Sequence, residues 1–238
     1  MAKARRVTYN IGMPGDATPP TVHQLRSNWK PVKQRLLDRQ SDHPTHVRFH
    51  RCCSWLQRVE QIEPEGDWDD KLICQWIALN ALYGQWDADR GEPKPDVATL
   101  DRFCDHVLGL DADGVVAGVF TRERKLVEAI LKDVYVTRYF WRDPSPKQAG
   151  KAGKAFYDSR TWYLEQRWPL LLSRLLERVY LVRCQLVHGA ATRGSRLNRT
   201  SVRRCSQMLG HLVSAFLAVW TDHGADEDWG AMCYPPQG

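Results

Sequence analysis

Apolar residues recur at helical spacing along most of this chain, and no stretch shows the strict alternation expected of a half-buried strand. The spacing predicts helices over Val22–Gln40, Pro44–Ile62, Trp68–Trp86, Val97–Leu110, Arg122–Phe140, Pro169–His188 and Asn198–Asp222. Pro31 should kink or split the first, and Asn198 or Thr200 should cap the last. The Trp68–Trp86 segment carries Leu72, Ile73, Trp76, Ile77, Leu79, Leu82, Tyr83 and Trp86, which leaves little polar face and predicts a central helix. Between these elements, Asp87–Pro95 reads as a loop and Asp111–Phe120 as a short helix or a turn. Asp143–Gly153, with its prolines, glycines and lysines, reads as a flexible loop. The expected fold is all-α: an antiparallel bundle of about five to eight helices over residues 22–222. A flexible lead (1–21) and a peripheral, acidic then Pro-rich tail (223–238) should flank it.

Composition agrees with a packed core: 43% of the 238 residues are hydrophobic and ten are Trp. The sequence contains no run of 18 apolar residues, and Met1–Arg6 leads into no apolar signal core. Both point to a soluble, cytoplasmic protein with no membrane partner. Seven cysteines without framework spacing argue against a disulfide scaffold.

A net charge of +6 and a pI near 9.0 permit nucleic-acid binding. The distribution is more telling. Arg174, Arg178, Arg183, Arg193, Arg196, Arg199, Arg203 and Arg204 crowd the late chain, where no acid follows Glu177 until Asp222. Lys147, Lys151, Lys154 and Arg160 form a second basic stretch. A solvated basic surface is the plain alternative for any one of them.

Within the late cluster, Arg183 and His188 stand near the end of a helical pattern, and Gly189 is placed to stop it. A histidine moves protons at neutral pH, and an arginine holds a phosphate and the charge that builds on it. Arg39 with His46 and Arg204 with His211 fit a relaxed version of the same spacing, so context singles out the Arg183 pair. On a straight helix, residues five apart lie about 140° around the axis. The two side chains therefore converge only where the helix loosens or where a two-fold dimer wraps a cleft around its end. The structural alternative gives Arg183 an ion pair and makes His188 a helix C-terminal cap.

The segment Leu181–Gly189 resembles the HEPN superfamily, whose hallmark is Arg-x4–6-His near the end of a late helix, commonly followed by Gly. Gln75–Tyr83 is similar to the Trp-Ile-Ala-Leu-Asn-x-Leu-Tyr helix of Apea-like HEPN proteins. The resemblance spans about residues 44–222, with its specific matches in these two stretches. One residue departs from it: Cys184 stands where the family usually has Asn or Asp after the motif Arg. The resemblance implies a metal-independent endoribonuclease without cofactor, working as a homodimer with a composite site, often as a toxin or antiviral effector held by an antitoxin or regulatory protein. By the resemblance Arg183 and His188 would be catalytic, with Asn80 and Cys184 behind the motif pair. The Arg-rich segment from Arg193 to Arg204 independently suggests that Arg193, Arg196 and Arg199 grip the RNA backbone. The alternatives are a non-catalytic HEPN-like module binding RNA, a nucleotide or a partner protein, and a structural dimerisation protein.

Asn80, amid Ile77, Leu79 and Leu82, must find hydrogen-bond partners if it is buried. It either braces a neighbouring helix or orients the motif residues. Tyr83 reads as core packing. His43, His46, His50 and Cys53 share one helix face, but a straight helix cannot wrap all four around one ion, so no metal is expected. Phosphate-loop patterns are absent.

Overall fold

The computed structural model describes residues 19–189, 192–194 and 198–235, without the side chains of Tyr139 and Trp141. Most of the expected lead therefore lies outside the described residues. The rest is an all-α helical bundle.

The first helix, α1 (Val22–Leu37), opens with a reciprocal capping box between Thr21 and Gln24. Pro31 sits inside it without ending it. Helix α2 (Pro44–Glu60) starts with proline at its first position, where the missing N–H costs nothing. Helix α3 (Trp68–Tyr83) is capped by the Asp67 carboxylate, which accepts from the Asp69 and Asp70 amides. It packs against α2 and three later helices, α4 (Asp96–Leu110), α9 (Trp168–Val187) and α10 (Arg199–Asp222). Its near-uniform apolar surface gives it that central place.

Elsewhere the chain is more broken than its pattern suggested. Arg122–Phe140 is not one helix. It divides into α6 (Arg124–Lys132), a 3₁₀ turn (Val134–Val136) and α7 (Arg138–Arg142), preceded by α5 (Val115–Arg122). The breaks fall at residues that cap locally. The Asp133 carboxylate accepts from the Tyr135 amide, and the Thr137 hydroxyl accepts from the Phe140 amide. Asp111 starts α5 in the same way, accepting from the amides of Val115 and Val116.

The loop expected over Asp143–Gly153 is a helix for most of its length, α8 (Pro146–Leu164). Ser145 and Pro146, which look like breakers, are its cap and first residue, with the Ser145 hydroxyl accepting from the Gln148 amide. The expected loop at Asp87–Pro95 contains a minimal hairpin, β1 (Trp86–Asp87) and β2 (Glu92–Pro93), with Trp86 opposite Pro93. Asn198 does precede α10, but in the left-handed region and without capping it; its side-chain amide donates to Gln185 Oε1.

The tail is not peripheral. Trp229 is buried and stacks on Trp220 with ring centroids 4.1 Å apart. Its indole N–H donates to the Gly224 carbonyl. Arg48, only 1% exposed, binds the tail to the body of the fold. Its Nη1 donates to the carbonyls of Leu82 and Gly84, and its Nη2 to those of Trp229, Gly230 and Ala231. Arg51 continues the clamp onto the carbonyls of Cys233 and Tyr234. All seven cysteines are free, and five are buried. Among the described residues no helix is long and apolar enough to cross a membrane.

Candidate functional site

Helix α9 buries Leu171, Leu172, Leu175, Leu176, Val179 and Val182 against the core. Arg183 follows directly on this buried stripe and stays half-buried at its edge. The helix ends where the sequence indicated. Gly189 adopts the left-handed conformation (φ +68°), its amide donates to the Leu186 carbonyl, and the His188 amide donates to the Cys184 carbonyl. His188 is the C-cap residue and is exposed.

Arg183 makes no ion pair with any described carboxylate, so the structural alternative lacks its counter-ion among these residues. Its guanidinium carbon lies 5.7 Å from the Trp76 ring centroid and 5.9 Å from that of Tyr180. Nη1 comes within 3.9 Å of the Cys184 sulfur. Burial, and then contact with the Cys184 thiol, holds the Tyr180 phenol above its ordinary pKa. Cys184 thus faces Tyr180 and the motif guanidinium.

The arginine opens onto a groove of about 610 Å³, shared with Arg51, Asn80, Tyr83, Lys94 and Asp96. The Tyr83 hydroxyl donates to the Asp96 carboxylate. Burial, followed by the Asp96 charge, pushes the Tyr83 phenol far up, while Arg183 pulls it the other way. Asn80 is exposed in this groove, and its side-chain amide makes no hydrogen bond to the described residues. It does not brace a neighbouring helix here, and its donor and acceptor are free for a ligand beside Arg183.

His188 is not among the residues that line this groove. One chain therefore presents the arginine and the histidine in separate places, as their angular separation on the helix requires.

Of the arginines expected to grip RNA, two already hold carboxylates. Arg193 pairs with Asp67 at 2.7 Å and with Asp70 at 2.8 Å, and Arg199 pairs with Asp69. The Asp69 carboxylate also accepts from the Gly194 amide. These acids come from the start of α3, remote in sequence, so the run without acids after Glu177 is not without counter-ions in space. Arg196 lies outside the described residues.

Sequence patterning missed Lys94, Arg51 and Asp96 as groove residues. The one available signal was Asp96 directly after Pro95, the start of a helix. Among the described residues no group of three or more His, Cys, Asp or Glu is placed to hold a metal ion. His46 instead accepts at Nδ1 from the Trp29 indole.

No family model, curated protein or solved structure matches the chain. The likeness to HEPN proteins thus rests on residues 75–83 and 181–189 alone.

Proposed function

We propose that this protein is a metal-independent endoribonuclease of HEPN type whose site is composed across a two-fold homodimer. The observation that carries this reading is the state of the motif pair. Arg183 is a half-buried guanidinium with no carboxylate partner among the described residues, open to a groove that also holds the free amide of Asn80. His188, exposed at the end of the same helix, lies outside that groove, where a second copy can reach it. In a symmetric dimer the histidine of one chain faces the groove of its partner.

The chemistry follows from the two side chains. Arg183 binds the scissile phosphate and stabilises the charge that develops on it. His188 takes the proton of the ribose 2′-hydroxyl, or gives one to the departing 5′-oxygen. Attack of the 2′-oxygen on phosphorus breaks the P–O5′ bond and leaves a 2′,3′-cyclic phosphate and a 5′-hydroxyl. Such an activity suits a toxin or antiviral effector kept in check by an antitoxin or regulatory protein.

Purified protein incubated with a mixed RNA pool in EDTA tests this reading. The expected result is a dimer by light scattering at micromolar concentration, and fragments ending in 2′,3′-cyclic phosphate. A strict monomer, or intact RNA under these conditions, would leave the non-catalytic binding module in its place.

A further inference from the structure

The second basic stretch of the sequence folds into α8 and lies against α9. Between the two helices is a cavity of about 340 Å³, lined by Lys151, Lys154, Asp158, Trp162, Arg174 and Arg178. This is the lower end of the size range of small-molecule pockets. Its deepest cation is unusual. Arg178 is 5% exposed, and among the described residues its guanidinium hydrogen-bonds only to two carbonyls, Val136 through Nη1 at 3.0 Å and Ala152 through Nη2 at 3.1 Å. Its Nε is buried without a partner, and no described carboxylate forms an ion pair with it. Burial lowers its pKa and outweighs the nearby charges of Glu177 and Asp133, which raise it. A buried charge in this state is costly unless an anion completes it.

The rest of the lining does not supply that anion. Glu177 also borders the cavity, but Arg174 occupies its Oε2 at 3.0 Å and Arg138 its Oε1 at 3.3 Å. Asp158 is the other carboxylate, set against Lys151, Lys154 and Arg178. Cations therefore outnumber acids around a concave space that has an indole in its wall.

We propose that this cavity binds a phosphate monoester of mononucleotide size, its phosphate held by Lys151, Lys154 and Arg178 and its base set against Trp162. The site is separate from the groove of Arg183 and stands whether or not the chain cleaves RNA.

Titration calorimetry on the full chain with adenosine 5′-monophosphate, inorganic phosphate and adenosine tests it. The nucleotide should bind once per chain, inorganic phosphate more weakly at the same site, and adenosine not measurably. Lys151→Ala and Lys154→Ala should each weaken nucleotide binding by about tenfold or more, the loss of one charge-assisted contact, while keeping the wild-type melting temperature. Both variants avoid Arg178, whose removal can unfold the chain. Absence of nucleotide binding at millimolar concentration, or unchanged affinity in both variants, would overturn the site. Inorganic phosphate binding as tightly as the nucleotide would overturn the contact with Trp162.

Discussion

His188→Ala is expected to lose roughly 10²–10⁴-fold in RNA cleavage, the usual contribution of a positioned proton-transfer group. Its fold should be untouched, because the side chain is exposed and surface changes of this kind stay within about 0.5 kcal/mol. Arg183→Ala should lose a comparable factor through the phosphate. Its stability cost should also be small, about 0.5–1 kcal/mol for the lost contacts with Trp76 and Tyr180. Arg183→Lys keeps the charge but not the planar fork that grips two phosphate oxygens, so it should recover only part of the rate. Initial rates, read beside thermal melts of the same samples, separate chemistry from folding. Wild-type cleavage by a folded His188→Ala protein would remove the histidine from the mechanism.

Arg48→Met should be the most destabilising of these single changes, by about 3–5 kcal/mol. The buried guanidinium joins five carbonyls from two distant parts of the chain. Each buried acceptor left unpaired costs about 1–3 kcal/mol, and water entering from the adjoining groove offsets part of the sum. Burial pulls the Arg48 pKa down to about 10, which still leaves it charged at neutral pH. For a chain of this length the loss corresponds to roughly 10 °C or more in melting temperature. The segment from Trp229 to Tyr234 should become the first site of proteolysis, since Arg48 and Arg51 hold it. A melting temperature within about 2 °C of wild type would mean that Trp229 and Arg51 hold the tail without Arg48.

The local features of the sequence were the legible ones. Gly189 marked the end of α9 because only a residue at ease with positive φ closes a helix in that way. The apolar surface of α3 announced its central position. Ser145 and Pro146 misled because the same residues that break a helix inside also start one, and spacing does not say which. Trp229 was hidden by its acidic, Pro-rich surroundings, although its indole stacks on Trp220 and, with Arg48 and Arg51, brings the tail inward.

The candidate site was half legible. Arg183, His188 and Asn80 stood out as residue types, but their exposure did not. The carboxylates that hold Arg193 and Arg199 come from Asp67, Asp69 and Asp70, and pairings across that much chain leave no periodic trace.

The composite site itself is tested by mixing two broken chains. Arg183→Ala and His188→Ala chains, each with its own affinity tag, are co-expressed and purified through both tags, so that every dimer holds one of each. Such a dimer pairs the intact His188 of one chain with the intact Arg183 of the other. The account predicts near-complete inactivity for each variant homodimer and a return to about half the wild-type rate for the mixed dimer, one of two symmetric sites being whole. A mixed dimer as inactive as its parents would contradict the shared site.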